Sequence, residues 1–154
     1  YNIINIKPES KKLGFVGIPT KIKTSVLKEI IKNDEVPVIA PLGLNDKDQT
    51  FNINADTAAG SIAKELKARR LLIISDVEGV LDEDNKLIVE IDSAKAKEMI
   101  NGGIISGGMI PKINNCLDVA SNGVKGVVII DGRKNHSMLF ELLSDKGSGT
   151  LIRE

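Results

Sequence analysis

The chain has 154 residues, 42% hydrophobic and 27% charged, a composition that excludes a disordered or fibrous chain and fits a globular fold with a sizeable core. Lys plus Arg number 21 and Asp plus Glu number 21, so no net field draws the protein to nucleic acid or an anionic membrane. Aromatics at 3% argue against a base-stacking platform, and with no apolar run of membrane-spanning length and no signal stretch, a cytoplasmic setting is expected.

Short apolar runs alternate with longer segments of helical period, the pattern of an α/β layered fold. Residues 1–12, "YNIINIKPESKK", match no recognisable pattern, and the start at Tyr1 is consistent with a piece of a longer polypeptide. Up to residue 32 the chain is basic, with seven lysines against Glu9 and Glu29. "LGFVGI" (13–18) reads as a strand, 25–33 as a helix and "VPVIA" (36–40) as a second strand. Segment 55–68 is the clearest helix: Ala55, Ala58, Ala59, Ile62, Ala63 and Leu66 recur on one stripe, and an alanine face permits close approach to a sheet or ligand.

"RLLIIS" (70–75) and "KLIVEI" (86–91) read as strands, with "DEDN" (82–85) as the turn of a hairpin between 77–81 and 86–91. This region is acidic: residues 76–92 hold Asp76, Glu78, Asp82, Glu83, Asp84, Glu90 and Asp92 against Lys86 alone. Helix 93–101 starts at an Asp92-Ser93 cap and stops at Gly102-Gly103. Helix 111–122, strand "GVVII" (126–130), helix 136–144 and strand "GTLI" (149–152) complete the chain. Three of the strands are nearly all Val, Ile and Leu, so both their faces are expected to be covered. The single cysteine, Cys116, has no disulfide or metal partner and reads as an inert core thiol in a reducing compartment.

Three stretches could carry chemistry. "SGGMIPK" (106–112) fails the Walker pattern, because the spacing differs and Ile113 follows the lysine. No GxGxxG supports a dinucleotide site either. Pro111 suits the first helical position, which puts Lys112 in a first turn whose positive dipole end disfavours a cation unless an anion lies between them. Paired glycines there let backbone N–H groups converge on a phosphate. The competing reading is a lysine that swings into water.

In "NINAD" (52–56), Asn52 and Asn54 offer amides and Asp56 a first-turn carboxylate. A plain N-cap with a favourable charge explains the same residues. In "SDVEGVLD" (75–82) a buried strand ends at Asp76 and a glycine turn; ligands of open α/β sheets sit beyond such strand ends, although an ordinary turn fits equally. The acidic run lacks EF-hand spacing, so no metal cage is expected. His136, the only histidine, has no nucleophile motif or second histidine to join, which excludes a triad or a zinc hydrolase.

Taken together and in order, "NINADTAAGSIAKEL", "LLIISDVEGVLDEDNKLI", "INGGIISGGMIPKINNCLDVASNGVKGVVIIDGR" and "ELLSDKGSGTLI" resemble the carboxyl-terminal, nucleotide-binding part of the acetylglutamate kinases, in the amino acid kinase family. The likeness runs from about Leu13 to Ile152. It implies a three-layer αβα sandwich with a mostly parallel central sheet, an ATP-binding domain over 13–154, and transfer of the ATP γ-phosphate to the side-chain carboxylate of N-acetyl-L-glutamate in arginine synthesis. Carried onto matching positions, it makes Lys112 and Asp56 catalytic, Lys112 stabilising the moving phosphoryl group and Asp56 orienting that lysine. Asn52 and Asn54 would bind the acyl amino acid. Asp76, Val77, Glu78, Gly79, Val80 and Leu81, with Ile104, Ile105, Ser106, Gly107 and Gly108, would line the ATP/ADP site, and Mg2+ would enter through the phosphates. His136, Lys146, Gly147 and Gly149 would belong to an arginine effector site, and the full-length form would be a homo-oligomer.

The acceptor chemistry suits so few residues. A glutamate carboxylate with a pKa of about 4.3 is already ionised, so attack needs no general base, only alignment and cations. The family's amino-terminal half supplies a second lysine on a Gly-rich loop, another phosphate loop and a substrate arginine, and none appears here. Nucleotide binding without turnover is therefore expected of these residues alone. Two other readings stay open: a sister kinase for aspartate, an aminoadipate derivative or carbamate, and a non-catalytic nucleotide or arginine sensor.

Overall fold

The computed structural model describes residues 2–154, which divide into two compact units, 2–66 and 67–154. The first unit runs β1 (Ile4–Pro8), a 3-10 turn (Lys11–Leu13), β2 (Gly17–Ile22), α1 (Thr24–Lys32), β3 (Leu42–Leu44), β4 (Thr50–Asn52) and α2 (Ala55–Leu66). Its sheet has the order β2-β1-β3-β4. β1 pairs antiparallel with β2 and parallel with β3 at Asn5 and Leu44, and β3 pairs antiparallel with β4. Ile4, Ile6, Ile22, Leu27, Phe51, Ile53 and Ala58 form the core, with Ile3, Ile39, Ile62 and Leu66 packed against it.

Two strand expectations are corrected here. The strand expected at 13–18 begins only at Gly17, because the Ser10 side chain caps a 3-10 turn by accepting from the Lys12 N–H, and Gly14 at φ 66 turns the chain out of it. Segment 36–40 joins no ladder. Three strands fall where none was expected: β1, inside the unplaced residues 1–12, β3 and β4.

The second unit runs β5 (Leu71–Ser75), β6 (Glu90–Ile91), α3 (Ser93–Asn101), α4 (Met109–Ser121), β7 (Val127–Asp131), α5 (Ser137–Leu143) and β8 (Thr150–Ile152). Its sheet order is β5-β7-β8-β6. β5 and β7 pair parallel in register from Leu71 with Val127 to Ser75 with Asp131; β7 and β8 are antiparallel, and β6 and β8 parallel. The class is thus mixed α/β, with strand pairings split evenly between parallel and antiparallel. Every residue of β7 is buried, as its apolar run implies, but Ile74 of β5 is 57% exposed, so double-sided burial belongs to β7 alone. The strand expected at 86–91 shrinks to Glu90–Ile91 because Leu87 bridges Leu81 in the hairpin. The "DEDN" turn forms as expected, with Asp82 Oδ1 accepting from the N–H groups of Asp84 and Lys86 at 2.9 Å each.

Helix α4 starts two residues earlier than Pro111 suggested. Pro111 lies third in the helix, where its missing N–H would have had no partner in any case.

A buried hydroxyl ties this unit together. Thr150 Oγ1 accepts from the Val80 N–H at 2.8 Å and donates to the Ile88 carbonyl at 2.6 Å, and the residue is fully buried. Gly79 makes the approach possible: it adopts φ 145, and a Cβ there would lie 2.5 Å from Thr150 Oγ1. Thr150→Val keeps the shape and orphans both backbone groups, so we expect a loss of about 1–3 kcal/mol in urea unfolding.

Candidate functional site

Parallel pairing in register brings the carboxyl ends of β5 and β7 side by side, at Ser75 and Asp131. Each strand is followed by a charged loop. Beyond β5, Asp76 and Glu78 are exposed, whereas Gly79 and Val80 are buried and anchor the loop through Thr150. Beyond β7, the Gly132 N–H donates to the Ser75 carbonyl at 2.8 Å, and Lys134 pairs with Glu78 at 2.9 Å.

Asp131 is buried and charged because Arg133 surrounds it. The guanidinium donates from Nε at 2.9 Å and Nη2 at 3.0 Å, and the Arg133 backbone N–H donates at 2.9 Å. These bonds hold the carboxyl below the ordinary range, at about 2. In turn Asp131, then Asp76 and Glu78, raise the Arg133 pKa, so the four charges act on one another at one sheet edge. Sequence reading did not single out Asp131, Arg133 or Lys134. The signal was "VVIIDGRK", a second apolar strand ending in an aspartate and a glycine like "LLIISD", but only the register shows that the two ends are neighbours.

The glycine loop before α4 splits in the same way. Ile105 is buried and bonds back to the Met99 carbonyl at 3.1 Å, while Ser106, Gly107 and Gly108 are exposed. Gly107 adopts φ 55, but Gly108 has ordinary helical angles and open space where a Cβ would go. Among the described residues the Gly107 and Gly108 N–H groups donate to no protein acceptor. Lys112 follows, half-buried in the first turn of α4. Ile104 lines a separate open cleft of about 410 Å³ whose walls include Asp82, Asp84, Lys95, Glu98 and Met99. The α3 residues in that wall carried no motif.

Asn52, Asn54 and Asp56 belong to the first unit, at the junction of β4 and α2. Asn54 is the N-cap: its Oδ1 accepts from the Thr57 N–H at 3.1 Å and the Thr57 hydroxyl at 3.3 Å. Asn52 ends β4 with an exposed side chain, and Asp56 lies in the first turn of α2. At the carboxyl end of the chain, Lys146, Gly147 and Gly149 line a cleft of about 210 Å³ with Arg70 and Glu141. Glu141 is buried, accepts from the Ser148 N–H at 2.8 Å and pairs with Arg70 at 3.7 Å. His136 caps α5 in the left-handed region and does not line this cleft. Among the described residues no cluster of three or more His, Cys, Asp or Glu could hold a metal ion, and no helix is long and apolar enough to cross a membrane.

The model of the amino acid kinase family matches residues 2–131, and the chain belongs to that family. It is 75% identical over 153 residues to the acetylglutamate kinase of Pelagibacter ubique (strain HTCC1062), a match covering 99% of this chain and 53% of that protein. It is 51% identical over 142 residues to the acetylglutamate kinase of Caulobacter sp. (strain K31), covering 91% of this chain and 47% of that one. The chain thus spans about half the length of the curated relatives it matches. The solved N-acetylglutamate synthase of Neisseria gonorrhoeae, complexed with coenzyme A and L-arginine, superposes with a TM-score of 0.91 at 24% identity, over 99% of this chain and 37% of that one; a likeness at that identity shows the fold.

Because folded Asp131 takes up a proton less readily than the unfolded chain, its contribution to stability is complete above the ordinary aspartate range and is lost as pH falls towards about 2. Asp131→Asn lacks this term. In thermal unfolding the gap between wild type and variant should stay constant from about pH 5 to 7 and narrow between about pH 4 and 2.

Proposed function

We propose that residues 13–154 supply the nucleotide-binding part of a cytoplasmic acetylglutamate kinase, which transfers the γ-phosphate of ATP to the side-chain carboxylate of N-acetyl-L-glutamate in arginine synthesis. The observation that carries the phosphate site is the pair of exposed N–H groups at Gly107 and Gly108, without a protein acceptor, directly ahead of α4 and Lys112. A helix start of this kind favours an anion through both its dipole and its unfilled donors. The 75% identity to an acetylglutamate kinase supports the choice of acceptor over aspartate or carbamate.

In this reading Gly107 and Gly108 bind phosphate oxygens, and Lys112 stabilises the charge that spreads over them during in-line transfer. By the family resemblance Asp56 joins the catalytic set, and Asn52 and Asn54 hold the acyl amino acid. Asp76 and Glu78 face the nucleotide from the end of β5, while Gly79, Val80 and Ile105 shape the loops that carry them. Magnesium held by the phosphates neutralises part of their charge. The acceptor carboxylate arrives ionised, so no residue here needs to remove a proton.

A second reading concerns regulation. The cleft at Lys146, Gly147 and Gly149 contains a buried carboxylate, Glu141, already engaged with a guanidinium, that of Arg70. A site with such chemistry fits free arginine as an effector in a full-length homo-oligomer. Inhibition by arginine that weakens in Glu141→Gln would bear this out, and unchanged inhibition would remove it.

For the phosphate site, Gly108→Ala separates binding from folding. The new methyl meets nothing in the protein, so stability should hold or rise by about 0.4–1 kcal/mol. Affinity for Mg-ATP, read by calorimetry, should fall because the methyl stands where a phosphate approaches the backbone. In the full-length enzyme Lys112→Ala should lower kcat about 100- to 1000-fold with folding intact. An unchanged kcat would sink the assignment.

A further inference from the structure

Helix α4 packs against β7 and is joined to it by residues 122–126 alone, so the two run in opposite directions. The helix is about 20 Å long and the strand about 17 Å, which brings the start of α4 to the same end of the unit as Asp131. The exposed donors of Gly107 and Gly108 therefore lie at the end where the loops after β5 and β7 meet. What that edge presents beyond β5 is acidic. Asp76 and Glu78 are both exposed, and the Asp76 carboxylate accepts from the Ser75 hydroxyl at 3.3 Å. Glu78 is held from across the edge: its Oε1 pairs with Lys134 Nζ at 2.9 Å, and among the described residues its Oε2 has no partner. The backbone of Lys134 is itself pinned, its N–H donating to the Asp131 carbonyl at 3.4 Å and its carbonyl accepting from the Ser137 N–H at 3.3 Å. Gly79 and Val80, next along the chain from Glu78, are buried and tied to Thr150. Glu78 thus offers one carboxylate oxygen from a loop fixed on both sides.

We propose that Glu78 recognises the ribose of the nucleotide, its Oε2 accepting from the 2′- or 3′-hydroxyl, and that Lys134 is the residue that positions it. The inference rests on the nucleotide reading above and names what selects the sugar. An ionised carboxylate is an acceptor only, so it repels a phosphate and suits a hydroxyl donor, and carboxylates beyond the strand ends of α/β sheets hold ribose in this way. A magnesium ion is the other partner a carboxylate could take. Lys134 argues against it, because an ammonium already on Oε1 repels a dication, and among the described residues no group of three or more His, Cys, Asp or Glu could hold one. The same ion pair explains why Lys134 matters. Freed from it, the Glu78 side chain would spread over several rotamers, and ordering it again would cost affinity when the sugar arrives.

Calorimetric titration of this chain with Mg-ATP, Mg-2′-deoxy-ATP and Mg-3′-deoxy-ATP tests the proposal through a ratio of affinities. Wild type should bind at least one deoxy analogue about 10-fold more weakly than ATP, the loss expected of a hydrogen bond to a charged acceptor. Glu78→Ala should bring all three nucleotides to the same affinity. Lys134→Ala should narrow the preference to about 3-fold or less by loosening Glu78, and Lys134→Arg should restore it. Lys112→Ala, on the phosphate side, should weaken all three alike and keep the wild-type ratio. Equal affinities in wild type overturn the proposal, as does a preference that survives Glu78→Ala. A full preference in Lys134→Ala overturns the positioning role. If Glu78→Ala weakens all three nucleotides equally, and only with magnesium present, Glu78 serves the cation and the ribose assignment falls. Absence of Mg-ATP binding in wild type sinks the phosphate site and this inference together, whereas binding without any sugar preference sinks this inference alone.

Discussion

Strand β7 is buried along all five residues and ends in a carboxylate, Asp131, that has little access to water. An ionised group in that position is tolerable only with partners, and Arg133 supplies a bidentate guanidinium and a backbone N–H within the next two residues. That constraint shapes the chain around it. The tight Asp131–Arg133 turn directs Gly132 to the Ser75 carbonyl of the parallel neighbour, and Lys134 to Glu78. One buried carboxylate thereby locks together the loops that leave both parallel strands.

The second lock is polar but uncharged. Thr150 on β8 accepts from Val80 and donates to Ile88, so the loop after β5 is held from its far end as well. Between the two anchors only Asp76 to Glu78 remain outward. The loop ahead of α4 follows the same rule: Ile105 is buried and bonded to the Met99 carbonyl, and the three residues after it stay open. Rigid anchors flanking short exposed stretches are what preorganised binding of a phosphate requires, because little ordering is left to be done when the ligand arrives.

Sequence legibility tracked how local each determinant is. Helix α3 matched the expected residues because Asp92 and the Gly102-Gly103 pair are local signals, and the Asp82 turn formed for the same reason. β7 was legible from its unbroken apolar run. Segment 36–40 looked equally strand-like, but a strand exists only with a neighbour to bond, and composition does not report the neighbour. β1 was missed because "INIKP" mixes polar residues into a strand whose inward positions are only Ile4 and Ile6. The site residues divide similarly. Lys112, Gly107 and Gly108 were legible from helix-start chemistry joined to the family resemblance, whereas Asp131, Arg133 and Lys134 became visible only through the β5–β7 register.

The central claim is that the exposed donors ahead of α4 receive the phosphates of a nucleotide. Backbone amide chemical shifts followed through a Mg-ATP titration test it at single-residue resolution. The account predicts saturable shifts at Ser106, Gly107, Gly108 and Met109, with smaller ones at Asp76 to Glu78 and none at 36–40. Shifts confined to other surfaces, or none at Gly107 and Gly108 at saturating nucleotide, would contradict it.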